Sequence, residues 1–502
     1  MSSVLPLRVV SPSTGELLAE LPSAGPADVA AAVAAARAAA TAWAALPLRE
    51  RVAALKRWRR EVVDDAELPR ILVRESGKPR HEVDGSEVLY FCELTRFVCA
   101  AARRALATER RGTLLFATRR TDVHRVPLGV VGVVGPWNFP ILNNAADALA
   151  PLVAGNTVVL KPSEVTPLTS LRMEALWRKA GNPPDVFRVV AGRGDAGVVL
   201  VDLADGVMFT GAVATGRKVA ARCGERLVPC VTELGGKSPF LVLAGADLPR
   251  AAQSAAWSGF LHSGQACIRT ERLLLVESVA DEFERLFVER VKALRQEVPD
   301  PDGVREHDLG AVTFPRQVEV VAKQLADAVG KGARVLAGGK PRGGLAGSFF
   351  EPTVLSGVTP EMEVAREETF GPLVPVLRVK DAEEALRVAN DSHLGLNATV
   401  WGPEAQARRI AERIESGNVI VNGALVNYLV VAAPLGGVKA SGVGVRHGAE
   451  GIRTWTRQRA VNVRRLPLAP VDRLVQERMA FPYDRRVLRL MQAAVRLLYR
   501  GL

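Results

Sequence analysis

The sequence predicts an α/β protein built on a doubly wound, Rossmann-like parallel sheet. Two observations carry that expectation. Short β-branched runs alternate with helical stretches, and the runs between Val130 and Glu233 each end in a loop of Gly, Pro and polar residues. The size agrees: 502 residues, 48% hydrophobic and 24% charged, are enough for two or three domains with substantial cores.

The elements follow in order. Asp28 to Leu46 is Ala-rich and helical in propensity, and Leu48 to Asp64 continues in helix with Val52, Leu55 and Trp58 set among charges. A further helical region runs from Glu82 to Arg104, and Thr113 to Val126 alternates as a polar hairpin ladder. Buried strands then begin. Val130 to Gly135 and Thr157 to Lys161 flank a helical Asn143 to Val153, and further strands are expected at Val186 to Ala191, Gly206 to Thr210 and Leu227 to Glu233. Leu168 to Ala180, Asp195 to Leu200 and Gly216 to Cys223 are the helices between them. A doubly wound sheet binds ligands beyond the carboxyl ends of its strands, so the residues just after each strand matter most.

After the first strand comes Pro136-Trp137-Asn138-Phe139-Pro140, whose two prolines fix the backbone and leave the Asn138 amide free to donate; an Asn in such a loop also often bonds only the backbone. After the second comes Lys161-Pro162-Ser163-Glu164, a cation and an acceptor-only carboxylate suited to ribose hydroxyls. After the fourth, Phe209-Thr210-Gly211-Ala212 leads through Gly216 into a helix whose N-terminus could face a phosphate. Its glycine spacing is not G-x-G-x-x-G, and taken alone it reads as a plain turn.

The chemistry lies further on. Cys267 follows Ser263-Gly264-Gln265-Ala266, and thirty-four residues upstream stands Glu233-Leu234-Gly235-Gly236-Lys237. That pairing suggests a thiol nucleophile and a carboxylate base able to activate water against a thioester. Five cysteines, Cys92, Cys99, Cys223, Cys230 and Cys267, are an odd number and argue against a disulfide framework. The spacing within the first two pairs is too wide for a zinc site, so no metal is expected.

The net charge of +12 does not point to nucleic acid, because half of it lies between Arg464 and Leu502, where nine Arg face Asp472, Glu477 and Asp484. The first residues lack a basic region followed by an apolar stretch, and no run of about 18 apolar residues occurs, so a cytoplasmic location is expected.

Together these segments resemble the aldehyde dehydrogenase superfamily, from about Pro12 to Arg457. The motifs are Pro136-Trp137-Asn138-Phe139-Pro140, Leu160-Lys161-Pro162-Ser163-Glu164, Phe209-Thr210-Gly211, Glu233-Leu234-Gly235-Gly236-Lys237-Ser238-Pro239, Gly264-Gln265-Ala266-Cys267 and Glu368-Thr369-Phe370-Gly371-Pro372, in the family's order. The resemblance implies the family's fold, with a β-hairpin oligomerisation arm, and oxidation of an aldehyde to a carboxylic acid through a thiohemiacetal and a thioester on Cys267. Asn138 and the Cys267 backbone N–H would hold the oxyanion, and Glu233 would activate the hydrolytic water.

For the cofactor, Lys161 and Glu164 match positions on the adenosine ribose, and Glu368 and Phe370 match positions on the nicotinamide ribose and ring. Pro136, Trp137, Ser163, Gly211, Ala212, Gly216 and Leu234 complete the expected binding set. The Glu164 carboxylate would repel a 2′-phosphate, so NAD is expected, with NADP the alternative. Ala212 stands where the family usually has Ser, which removes one hydroxyl contact to the pyrophosphate. Glu368 read alone is equally a solvated surface group, and Glu450 is assigned no role.

The substrate is left open between succinate semialdehyde, by similarity to a bacterial branch of that name, and a long-chain aliphatic aldehyde. A carboxylate-tailed substrate would want a guanidinium, but the helix Ile141-Leu142-Asn143-Asn144-Ala145-Ala146-Asp147 has none; Arg269 is either the substitute or a structural ion pair. A catalytically silent binding protein and a coenzyme A-acylating dehydrogenase are the other readings, and Cys267, Asn138 and Glu233 weigh against them.

In the tail, Asp484 reads as an N-cap before a basic amphipathic helix with Val487, Leu488, Met491, Ala494, Val495 and Leu498 at helical spacing. Packing on a subunit and lying on an anionic membrane are both open for it. The resulting division is 1–115 with 130–232 as dinucleotide domain, 233–437 as catalytic domain, 116–129 with 453–463 as oligomerisation arm, and 464–502 as extension; a homodimer or homotetramer is expected.

Overall fold

The computed structural model describes residues 5–112, 118–482 and 485–500. The chain forms two compact units, residues 1–105 with 127–455 and residues 106–126 with 456–502.

Two parallel-rich sheets organise the larger unit. The strands of the first are β1 (Val130–Val134), β2 (Thr157–Lys161), β3 (Phe187–Val189), β4 (Gly206–Thr210) and β5 (Cys230–Glu233). The second sheet contains β6 (Pro239–Val242), β7 (Arg272–Val276), β8 (Arg334–Ala337), β9 (Thr353–Ser356), β10 (Leu373–Val379), β11 (Asn397–Trp401) and β12 (Asn418–Val421). The last strand of this unit in sequence, β13 (Gly442–Val443), returns to the first sheet, whose order is β13-β5-β4-β1-β2-β3; the second sheet runs β8-β9-β10-β7-β6-β11-β12.

The first order reverses between β1 and β4, the topological switch point where doubly wound sheets bind ligands. β1, β2, β4 and β5 read as near-continuous Val, Leu and Thr because helices cover both faces. Helices Pro26–Ala45 and Gly194–Leu203 pack Val29, Val33 and Leu200 on Val130 and Val159. On the second sheet, helices Leu248–Phe260 and Glu277–Lys292 supply Phe260, Phe283 and Phe287 to one core cluster.

Most sequence expectations match to within a few residues, and Leu48–Asp64 is a helix with those same ends. Three differ. The region expected as one helix over Glu82 to Arg104 opens as a helical turn at Arg80–Glu82 and a π-helical turn at Val83–Val88 before the α-helix Leu89–Ala105. The helix expected from Asn143 begins at Ile141 and passes through π and 3₁₀ turns before Leu149. The strand expected from Leu227 begins only at Cys230, because Leu227 sits at φ 56°, a left-handed conformation that ends the preceding helix.

The smaller unit holds a sheet ordered Thr456–Arg464, Arg119–Pro127, Glu109–Arg111, in which the last two strands pair antiparallel. Thr113 to Ala117 of the expected hairpin lie outside the described residues. Asp472 anchors this unit by accepting from Thr118, Arg119 and Arg464. The amphipathic helix spans Arg485–Tyr499 with an exposed surface, while the expected cap, Asp484, lies outside the described residues. No helix among the described residues is long and apolar enough to cross a membrane.

Candidate active site

Three loops at the carboxyl edge of the first sheet meet the Cys267 segment around a cavity of ≈ 320 Å³. β1 contributes Pro136, Trp137 and Asn138, β4 contributes Gly211 and Ala212, and β5 contributes Glu233, Leu234 and Gly235; Cys267, Glu368 and Phe370 close the opposite side. A narrower, apolar cavity of ≈ 50 Å³ adjoins it, and Asn143, Thr210, Glu233 and Cys267 line both.

The loop carrying Cys267 is held by strain and by buried polar groups. His262 and Ser263 sit at φ 50° and 51°, ahead of Gly264 at φ 76°. Left-handed backbone costs a non-glycine residue roughly 1–2 kcal/mol, and the surroundings offset it. Both Glu82 oxygens accept the His262 N–H at 3.0 Å, Ser263 Oγ donates to Gly310 O, and Gln265 Oε1 accepts the Thr313 N–H. Only glycine fits at 264, since a Cβ would strike the Gly371 carbonyl.

Asn138 is buried and donates one amide hydrogen to Gln265 O at 2.8 Å, leaving its second. The helix after it begins on a charge: Glu87 Oε2 accepts from Ile141 N and Leu142 N while Glu87 pairs with the fully buried Lys78. Lys78 in turn lies 3.7 Å over the Phe139 ring.

Electrostatics separate the two chemical groups. Burial pushes the Glu233 carboxyl up to about 7; Arg446 opposes the rise and Asp147 adds to it. Burial likewise pushes the half-buried Cys267 thiol up to about 12, with Arg446 pulling down and Glu233 and Glu368 pushing up. The thiol is therefore protonated at neutral pH and Glu233 is poised to titrate.

The expected cofactor residues divide between two places. Pro136, Trp137, Gly211, Ala212, Leu234, Glu368 and Phe370 line the main cavity. Glu368 is no solvated surface group: its Oε1 accepts the Gly236 N–H at 2.8 Å and burial lifts its pKa to about 7, whereas Glu367 is exposed. Lys161, Ser163 and Glu164 follow the adjacent strand β2. Lys161 Nζ is 3.4 Å from Glu164 Oε2, and Glu164 shares a separate cavity with Arg193. Gly216 lines neither; it lets Leu234 pack on the helix Val213–Glu225, where a Cβ would collide with that side chain.

These features fit a dinucleotide. The helix Val213–Glu225 opens at Ala212 without a side-chain cap, so its first N–H groups are available to a phosphate. Lys161, Ser163 and Glu164 would hold the adenosine ribose, and Glu368 and Phe370 the nicotinamide ribose and ring. Phe370, itself at φ 50°, stands edge-on to Trp137 at 5.4 Å.

Arg269 resolves as a structural ion pair. Fully buried, it bonds Glu271 Oε1 at 2.7 Å and donates to Gly259 O and Leu373 O. Glu271 also pairs with Lys237 and accepts the N–H groups of Thr369 and Phe370. Burial alone would raise Glu271, but Arg269 and Lys237 outweigh it and hold the carboxyl at about 2.

The guanidinium in the cavity is Arg446, to which the sequence reading gave no role. It donates to Asn143 Oδ1 at 2.6 Å and Thr210 Oγ1 at 2.7 Å and lies 3.4 Å from Asp147 Oδ2. Burial opposes its charge, but Asp147 and Glu233 outweigh that and raise its pKa. Only the pairing of Gly442 with Glu233 reveals its position; no local pattern marks it.

The model of the Aldehyde dehydrogenase family matches residues 2–461. A Mycolicibacterium smegmatis protein provisionally named succinate-semialdehyde dehydrogenase, with NADP(+) given as its cofactor, is 40% identical over 90% of this chain and 88% of its own. A Mycobacterium tuberculosis aldehyde dehydrogenase solved with NAD+ superposes with a TM-score of 0.86 at 33% identity, covering 92% of this chain and 95% of its own. A succinate-semialdehyde dehydrogenase from Burkholderia pseudomallei gives 0.87 at 35% identity, with coverage of 92% and 95%. The chain belongs to the aldehyde dehydrogenase family and is an NAD(P)-dependent oxidoreductase acting on aldehydes.

Proposed function

We propose that Cys267 is the nucleophile, Glu233 the general base, and the Asn138 amide with the Cys267 backbone N–H the oxyanion donors. The observation that carries this reading is the placement of Cys267 and Glu233 on the wall shared by two adjoining cavities. Sulfur attacks the aldehyde carbon as its proton passes to solvent, and the oxyanion is held by the two N–H donors, so Glu233 stays ionised for the hydrolytic step. The bound NAD(P) supplies the hydride acceptor. Glu233 then takes a proton from water as the thioester is hydrolysed.

The test is rapid-mixing kinetics on two variants. Cys267→Ser should abolish NADH formation, while Glu233→Gln should keep the first turnover and lose roughly 10²- to 10⁴-fold in steady-state rate. A fully active Cys267→Ser overturns the assignment.

The narrow cavity supports an uncharged substrate body. Phe139, Leu142, Leu261, Ile268, Leu396, Leu425 and Leu435 wall it, and the cation present, Arg446, already faces Asp147. The second reading, succinate semialdehyde, is favoured by the named relatives. Comparing kcat/KM for n-pentanal and succinate semialdehyde decides between them.

The Glu164 carboxylate favours NAD; Lys161 and Arg193 nearby temper that preference and admit NADP. A cytoplasmic homodimer or homotetramer assembled through 116–129 and 453–463 completes the proposal, along with the division at 1–115, 130–232 and 233–437. Light scattering tests the assembly. Flotation with anionic vesicles tests whether the helix Arg485–Tyr499 touches a membrane.

A further inference from the structure

Among the described residues, two buried atoms of opposite sense lack a hydrogen-bond partner in the narrow cavity. Glu233 Oε1 is an acceptor and Arg446 Nε a donor; neither makes a hydrogen bond, and both residues line the cavity with Cys267. The Arg446 side chain is only 6% exposed. An unpaired buried polar atom is costly, so a site that keeps two of them serves a group that satisfies both.

That group must accept from Nε and donate to Oε1. A substrate carboxylate does the first and is repelled by the second. Water does both.

We propose that Arg446 is a positioning residue for hydrolysis: its Nε–H and the Glu233 carboxylate hold one water molecule between them, beside the acylated Cys267. The inference rests on the roles given above to Cys267 and Glu233. The water oxygen bonds to the acyl carbon as Glu233 takes one of its protons, and the C–S bond breaks with its electron pair on sulfur. Sulfur recovers the proton from Glu233, and the product acid loses its remaining proton to solvent.

Arg446 is fixed for this task by three residues on two elements. Asn143 and Asp147 hold it from the segment after β1, and Thr210 holds it from the end of β4. The titratable groups acting on it are Asp147, Glu233, Tyr90 and Cys267, and it acts in turn on His447. Its charge favours ionised Glu233, so removing it moves the acidic limb of the rate profile, where Glu233 loses its proton, to higher pH.

The test compares Arg446→Gln with Asp147→Asn/Arg446→Gln, which removes both charges and leaves no unpaired Asp147. Both should give an NADH burst of about one per site, then a steady rate lowered on the order of 10²-fold, with intact-mass detection of the acyl-enzyme. The pH midpoint of the steady rate should move upward in both. A steady rate within twofold of the parent, equal loss of burst and steady rate, or a KM increase confined to succinate semialdehyde overturns the proposal. Failure of the underlying reading looks different: Cys267→Ser would itself retain the burst.

Discussion

Gly236→Ala probes how tightly Cys267, the proposed nucleophile, is placed. A Cβ at 236 would lie 2.5 Å from the backbone carbonyl of Cys267, whereas ordinary contact begins at 3.4 Å, so something must move by about 0.9 Å. The atom in the way is main chain of the nucleophile itself. Its loop cannot yield easily, because Glu82, Gly310 and Thr313 hold His262, Ser263 and Gln265. A displacement near 1 Å from a reactive geometry costs on the order of 10²-fold in rate, about 2.7 kcal/mol of barrier. Steady-state kcat with NAD and a saturating aldehyde should fall by that factor, with thermal unfolding measured alongside. Gly224→Ala is the control, since a Cβ there meets nothing within 4 Å. A folded Gly236→Ala enzyme with kcat within twofold of the parent would refute the reasoning.

Three further outcomes are expected. In cofactor-free protein the alkylation rate of Cys267 by iodoacetamide should still climb between pH 9 and 10, where an ordinary thiol levels off, because burial holds it near 12. Lys78→Met should lower stability by about 3–5 kcal/mol in urea titration, since it strands the buried Glu87 carboxylate that starts the helix at Ile141. Glu164→Gln should raise the ratio of kcat/KM for NADP over NAD about tenfold, equal to 1.4 kcal/mol, by removing the carboxylate, ion-paired with Lys161, that is proposed to repel a 2′-phosphate.

The first sheet was legible because its strands are covered on both sides. Val130 to Val134 and Thr157 to Lys161 are rich in Val with hardly a polar residue between, a pattern that survives without knowledge of neighbours. The loops after them were legible for a related reason: proline and glycine mark where the backbone turns toward a ligand. The π turns at Val83–Val88 and Ile141–Ala145 were not: Glu87 in the first accepts the N–H groups of Ile141 and Leu142 that open the second, a contact between segments far apart in sequence. Arg446 was illegible for the strongest reason. It lies 179 residues beyond Cys267 and reaches the cavity because β13 pairs Gly442 with Glu233, a register that no local pattern encodes.

The same comparison explains where this site keeps its precision. His262, Ser263 and Phe370 hold left-handed backbone that they would leave if free. What restrains them is buried and polar: Glu82 accepts the N–H of His262, Ser263 Oγ donates to Gly310 O, and Glu271, held in ion pairs by Lys237 and Arg269, accepts the N–H of Phe370. Buried ion pairs add little net stability, and apolar replacements of equal volume often match them. They do impose direction, because a carboxylate accepts only where an N–H points. An apolar core at these positions would preserve the fold and let the Cys267 and Phe370 loops relax toward ordinary backbone, so the buried charges are better explained by placement of the reactive groups than by stability.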